Sequence, residues 1–492
     1  MSRYILAVDQ STQGTKGLLF DENGLLAARA DRAHRQIVNE KGWVEHDPEE
    51  ILENTAAVCG DVLAKAGVDA GSVAAIGISN QRETTLMWDR ITGRPVYNAI
   101  VWQCARGAEI CERPEIAGRA EEIRRKTGLN LSPYFPAAKL CWLMEHVPEA
   151  KTLSERGALA CGTVDSWLLY RLTGNHKTDF SNASRTQLFN ISTLQWDREL
   201  CALFSVPMNS LPEVCMSDSR FGETDLRGLL PHPVPIHGVL GDSHGALFGQ
   251  DCRRPGQIKA TYGTGSSVMM HLGGQPKFSG SGLVTSLAWG IGGKIEYVLE
   301  GNLNYTGAVM TWLRENVGLI RTDAEATELA RRANPRDRTC FVPSFTGLGA
   351  PYWDSRATGL LTGITRTTGR AEIAKACLEC IAFQISDLVD LMRRDSGIAV
   401  DTLRVDGGPT ASSYLMQFQS DIADVVVQIP DLQELSGLGA AYAAGMAMGL
   451  YDRESVYRHI RRRRYEPGMS PAERAERLAV WKQAVRQTAC HP

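Results

Sequence analysis

An apolar run at residues 4–8 is followed by the polar stretch Asp9-Gln-Ser-Thr-Gln-Gly-Thr-Lys16 and by a second apolar run at 17–20. Two short apolar runs around a Gly/Thr/Ser corner predict a β-hairpin. Asp47-Pro48-Glu49-Glu50 then combines an N-cap, a proline at the first helical position and a glutamate at the capping-box position. The helix it starts gathers Ile51, Leu52, Val58, Val62 and Leu63 on one face. A strand at 73–79, the polar corner Asn80-Gln-Arg-Glu83 and a strand at 84–88 come next. Strands alternating with helices predict an α/β class.

The pattern restarts near the middle. After the angular segment Cys252-Arg-Arg-Pro-Gly256 come a strand at 257–262, the corner Gly263-Thr-Gly-Ser-Ser267 and a return strand at 268–271. Each half therefore opens on a hairpin with a Gly/Thr/Ser tip, and two domains are expected, 1–252 and 253–492. The uncharged stretch 435–451 is rich in Gly and Ala and short of the ~20 residues that span a bilayer. It reads as a closely packed buried helix. Ser470-Pro-Ala-Glu473 starts a last helix reaching about 486.

At 492 residues, 43% hydrophobic and 22% charged, the chain can bury large cores. Its net charge of -3 argues against a nucleic-acid partner, and the run Arg461 to Arg464 reads as a solvated face. Asp9 comes too early for a signal-peptide core, and twelve cysteines are scattered without a disulfide framework. These features predict a cytoplasmic protein. Cys377-Leu-Glu-Cys380 lies in a helical pattern without a second pair, so buried thiols rather than zinc are expected.

Three corners carry candidate chemistry. Tips made of Gly, Thr and Ser converge backbone N–H groups and hydroxyls suited to anionic oxygens. The first tip adds Asp9, a ligand type for magnesium-bound water, and Lys16, a cation for phosphate. Val405-Asp-Gly-Gly408, leading into a helix from Tyr414, is a third nucleotide-facing arrangement. No P-loop, dinucleotide fingerprint or protein-kinase motif set is present. Gly241-Asp-Ser-His-Gly245 reads two ways. Ser243 would be a nucleophile of a serine hydrolase, or Asp242 a carboxylate at a strand end that accepts a proton from a hydroxyl. Arg82 with Glu83 can bind vicinal hydroxyls, and Trp102 and Tyr134 offer flat walls for a carbon chain.

Taken in order, Asp9-Gln-Ser-Thr…Lys16, Trp43-Val-Glu-His-Asp-Pro48, Asn80-Gln-Arg-Glu-Thr84 and Asn98-Ala-Ile-Val-Trp-Gln-Cys104 resemble the FGGY carbohydrate kinases, glycerol kinases most closely. The resemblance continues through Tyr134-Phe-Pro-Ala-Ala-Lys139 with Trp142, Gly241-Asp242, Tyr262-Gly-Thr-Gly265, Ala350-Pro-Tyr-Trp-Asp354 and Asp406-Gly-Gly408. It implies two actin-like (ribonuclease-H-like) domains flanking a catalytic cleft that takes ATP, Mg2+ and a small polyol or sugar. By the same resemblance Asp242 is the catalytic base, and Arg82, Glu83, Trp102, Tyr134, Ser243 and Ser267 line the acceptor. Thr12, Gln13, Lys16, Thr264, Gly307, Thr311, Gly408 and Ser412 face the nucleotide, and Asp9 and Asp242 hold the metal through waters. A homodimer or homotetramer is the expected assembly, with neither membrane nor nucleic acid as partner.

This chain departs from the glycerol kinase pattern at five positions. Lys16 stands where that family has Arg, Ser243 where it has Gln, Ser267 where it has Phe, Thr311 where it has Gln, and Ser412 where it has Asn. Ser243 and Ser267 both shrink an acceptor wall and add a hydroxyl, which implies an acceptor of four or five carbons. The loop at 229–234 lacks the Gly-rich basic stretch linked to fructose-bisphosphate inhibition, so that regulation is not expected.

Overall fold

The computed structural model describes residues 3–350, 352, 354 and 356–488. Pro351 and Trp353 of the motif block 350–354 lie outside them. Six strands build the first sheet: β1 (Tyr4–Gln10), β2 (Gly14–Phe20), β3 (Leu26–Ala33), β4 (Val73–Asn80), β5 (Gly222–Thr224) and β6 (Val234–Gly241), in the order β5-β6-β4-β1-β2-β3. β1 to β3 pair antiparallel, whereas β4 joins β1 and β6 joins β4 in parallel. The predicted hairpin forms with longer strands, so Asp9 and Lys16 sit opposite each other inside the ladder rather than in the turn. The tip itself is only residues 11–13.

Helix α1 (Pro48–Ala66) starts where expected, with the Asp47 carboxylate accepting from the Glu49 N–H and Gly67 closing it at φ 64°. All five residues of its predicted apolar face are buried. The capping box does not form. Glu50 instead accepts from the Arg35 N–H at 3.1 Å, in the segment that follows β3.

The second sheet holds β7 (Ile258–Tyr262), β8 (Ser266–Gly273), β9 (Val284–Ile291), β10 (Lys294–Leu303), β11 (Thr402–Asp406), β12 (Val426–Pro430) and β13 (Arg462–Tyr465), in the order β9-β10-β8-β7-β11-β12-β13. Reading β10-β8-β7-β11-β12 repeats the antiparallel, antiparallel, parallel, parallel sequence of β3-β2-β1-β4-β6. The restart seen in the sequence is thus a repeated topology, and the fold is the expected pair of actin-like α/β units.

Helix α2 (Asp242–Gly249) follows β6, α3 (Gly307–Glu315) follows β10, and the long α4 (Arg370–Ser396), α5 (Ser413–Ala423) and terminal α7 (Pro471–Thr488) cover the second sheet. Helix α6 (Leu435–Ala447) behaves differently. Although it comes after β12, it lies on the first sheet, against β1, β4 and β6, and crosses α2. Glycines permit this. A Cβ on Gly77 would stand 2.6 Å from the Ala440 carbonyl, and one on Gly439 only 1.9 Å from that of Gly245. The chain then returns to the second sheet as β13.

Within the basic run, Arg461, Arg463 and Arg464 are exposed as expected, but Arg462 is half-buried and donates to the Gln250 carbonyl at 3.1 Å. Cys377 and Cys380 are buried thiols inside α4, and burial pushes Cys377 up to about 12. Among the described residues no helix is long and apolar enough to cross a membrane.

Candidate active site

The cleft between the two sheets is lined by residues from both. One chamber of about 570 Å³ brings together Thr12, Arg82, Glu83, Trp102, Tyr134, Asp242, Ser243, Thr264 and Ser267. Thr12, Arg82, Glu83, Asp242, Ser243 and Thr264 lie just past the ends of β1, β4, β6 and β7, Ser267 is at the start of β8, and Trp102 and Tyr134 come from connections outside both sheets. In such folds ligands are met outside the carboxyl ends of the strands.

Asp242 is the first residue of α2, beside its unpaired N–H groups, where a carboxylate is favoured. Its side chain is 36% exposed to the cleft, and Oδ1 lies 3.2 Å from Arg82 Nε. Gly241 makes that approach feasible, since a Cβ there would press on Arg82 Cγ at 2.7 Å. The Ser243 hydroxyl has no histidine partner among the described residues, and His244 is buried with Nε2 3.3 Å from Ser286 Oγ. Ser243 lies inside a regular helix with no strained elbow and without the triad that a serine hydrolase needs.

Arg82 and Glu83 belong to a buried four-membered ion network. Glu300 takes both Nη atoms of Arg82, at 2.9 and 2.8 Å, and Nη1 of Arg185 at 2.9 Å, while Arg185 Nε donates to Glu83 Oε1 at 2.6 Å. Burial alone would raise the Glu300 carboxyl, but Arg185 and Arg82 hold it well below the usual range. The pairing leaves the outer N–H groups of Arg82 and Oε2 of Glu83 free for hydroxyls. Glu83 is held at φ 62°, a strained conformation that a functional corner tolerates when its surroundings over-determine it.

Lys139 supplies part of that determination. It is fully buried, lowered to about 7 by loss of hydration, and its Nζ donates to the Glu83 carbonyl at 3.1 Å and the Tyr134 carbonyl at 2.5 Å. One ammonium thus ties the polar corner to an aromatic wall. Lys139→Met leaves both carbonyls unpaired, so the KM for the acceptor is expected to rise roughly tenfold with the KM for ATP unchanged. Equal changes in both constants would mean a general loss of fold instead.

Tyr134 and Trp102 meet edge to face at 5.5 Å. Trp102 Nε1 donates to Thr12 Oγ1 at 2.9 Å, which couples the acceptor wall to the first hairpin tip. The second tip is braced from behind. Gly307 N–H donates to the Gly263 carbonyl at 2.9 Å, and the Thr306 and Ala308 N–H groups both donate to the Thr264 carbonyl at 3.0 Å.

A second chamber of about 700 Å³ shares Ala246, Thr261 and Ser436 with the first and holds Asp9, Lys16, Asp406, Gly407 and Gly408. Only glycine fits at 407, with φ 98° and a Cβ that would fall 2.0 Å from the Tyr262 carbonyl. Lys16 lies 3.8 Å from Asp9 and 2.5 Å from Glu434, which also pairs with Arg29. Asp9 is raised to about 6, chiefly by burial against the pull of Lys16, and its Oδ1 has no hydrogen-bond partner. A cation beside it would reverse that shift.

Gln13 is exposed at the first tip and Thr311 is exposed on α3, while Ser412, next to the chamber residue Ala411, caps α5 and receives the Thr327 hydroxyl at 2.7 Å. None of the three lines either chamber.

The family models for the FGGY carbohydrate kinases match residues 4–249 with their N-terminal domain and 258–448 with their C-terminal domain. The chain belongs to the FGGY family of carbohydrate kinases. It is 46% identical to glycerol kinase 2 of Thermotoga maritima over 99% of both chains. Among solved structures, this FGGY kinase superposes on the ADP-bound glycerol kinase of Plasmodium falciparum with a TM-score of 0.94 and 36% identity, covering 100% of this chain and 99% of that one. The ligand-bound xylulose kinase of Lactobacillus acidophilus follows at 0.88 and 25%, covering 99% and 97%. The protein is accordingly an ATP-dependent carbohydrate or polyol kinase.

Sequence reading missed Glu300, Arg185, Lys139 and Glu434 in this FGGY kinase. Glu300 left one trace, a lone acid inside the apolar strand Tyr297-Val-Leu-Glu-Gly301. Such a charge is buried only when paired.

Proposed function

We propose that this FGGY kinase transfers the terminal phosphoryl group of ATP to a primary hydroxyl of a small polyol of the glycerol type, in the cytoplasm. The carrying observation is the position of Asp242, at a helix start where the acceptor corner of Arg82 and Glu83 meets the two hairpin tips. The glycerol kinases it resembles and the free thiols support the same reading.

Phosphoryl transfer needs alignment and charge neutralisation more than covalent help. Arg82 and Glu83 would fix the acceptor hydroxyls, with Trp102 and Tyr134 against its carbons. Thr12, Thr264, Gly408 and Lys16 would meet the nucleotide phosphates, Lys16 leaving Glu434 to do so. Asp242 would orient the reacting hydroxyl and accept its proton as the new O–P bond forms, while the bond to ADP breaks and ADP leaves with its electron pair. Asp9, with its unpartnered oxygen, and Asp242 would hold Mg2+ through waters. Among the described residues no group of three acids, cysteines or histidines forms a cage, which suits an ion carried largely by water and phosphate. The metal would neutralise charge on the phosphate oxygens. Approach of the two halves would exclude water.

The test is ADP release from ATP with magnesium in the presence of glycerol, erythritol, ribitol or xylulose. Turnover dependent on at least one acceptor is expected. Silence with all four, in protein that still binds ADP, would overturn the reading.

A further inference from the structure

Behind Tyr134 lies another cavity, of about 710 Å³, lined by Leu131, Phe135, Val284 and Ala350 and reached by Arg185 and Glu300. It adjoins the Asp242 chamber. Tyr134, Asn302 and Asn304 line both.

Asn302 and Asn304 stand two residues apart at the end of β10, exposed on either side of the buried Leu303, so both face the opening between the chambers. Neither side-chain amide has a hydrogen-bond partner among the described residues. Directly across the ladder from Asn302 is Ser267, whose hydroxyl reaches only to Glu300 Oε1 at 3.4 Å. The throat between the chambers is therefore bounded by two amides and Tyr134, with the small Ser267 hydroxyl beside it on the Asp242 side. Beyond the throat Leu131, Phe135, Val284 and Ala350 give an apolar wall, set among the polar Asn130, Ser132, Arg185 and Glu300.

We infer that this cavity is an extension subsite for an acyclic polyol of four or five carbons, and that Asn302 and Asn304 set acceptor length. The inference rests on the kinase reading above. With the reacting hydroxyl at Asp242, a three-carbon acceptor is satisfied by Arg82 and Glu83 and ends before the throat. One or two further CHOH groups enter it. The two amides each offer a donor and an acceptor to successive hydroxyls, and the apolar wall meets the carbons. A polar throat left unfilled by a short ligand forfeits those contacts, which is how a binding site discriminates by length.

The experiment compares kcat/KM for glycerol, erythritol and ribitol in the intact protein, in the wild type and in an Asn302→Ala/Asn304→Ala variant. The longer acceptors are expected to exceed glycerol, and the variant to lower the ribitol-to-glycerol ratio by about tenfold. A thermal shift with ADP and ribitol, larger in the wild type than in Asn302→Leu, gives a readout independent of turnover. A wild type that prefers glycerol, or a variant that changes all three acceptors alike, overturns the subsite while leaving the kinase reading intact. Absence of turnover with every acceptor overturns both.

Discussion

Asp242→Asn is expected to reduce turnover by about 10²–10⁴-fold while ADP affinity changes little. The substitution keeps the size of the side chain, its place at the start of α2 and its neighbour Arg82 Nε at 3.2 Å. It removes the negative charge, and with it the capacity to take up a proton and the ion pair to Arg82. The tips that meet the phosphates are held by their own ladders and by hydrogen bonds from the start of α3, none of which is made by the Asp242 side chain, so the nucleotide site should persist. Steady-state ADP release and ADP titration by calorimetry separate the two effects. A variant within tenfold of wild type would remove Asp242 from the role of general base.

Glu300→Gln should produce the largest loss of stability of any single conservative change in the cleft. Glu300 is wholly buried, its two oxygens take Arg82, and its Oε2 also meets Arg185. Breaking a buried pair leaves an uncompensated charge and typically costs about 3–5 kcal/mol. Two guanidiniums would be left with Glu83 and the half-exposed Asp242 as their remaining counter-charges. Arg82 would then be drawn toward Asp242, weakening both acceptor binding and the base. The expected result is a melting temperature lower by several degrees with a raised acceptor KM. A shift of about a degree or less would mean that the network is energetically neutral. Because the Glu300 carboxyl is held below its ordinary value, its contribution is present at neutral pH and is lost as pH falls through the lowered value.

The hairpins, α1 and the strand-end position of Asp242 were legible because each is a local pattern: apolar runs of strand length, an Asp-Pro start and a polar corner. Arg82, Glu83, Trp102 and Tyr134 could be proposed together only by resemblance, since 52 positions separate the first from the last. The ion network was illegible for a simpler reason. Residues 83, 185 and 300 come from three distant segments, and nothing in their neighbours along the chain announces the pairing. Glu50 illustrates the same limit nearer by, since its carboxylate takes the Arg35 N–H, fifteen residues upstream, in place of the local capping pattern. The destination of α6 was hidden by its composition. Apolar on all sides, it showed that it would be buried but not against which sheet.

That destination matters while the chain is being made. The strands of the first sheet are complete once residue 241 has been synthesised, yet the face carrying Ile5, Leu18 and Leu240 is covered by Leu438, Ala441 and Ala444 of α6. On the ribosome, roughly two hundred further residues must be added before that covering arrives, a difference read directly from the positions 241 and 438. The first half therefore spends much of translation as an unfinished surface, open to chaperones and to its neighbours on the polysome.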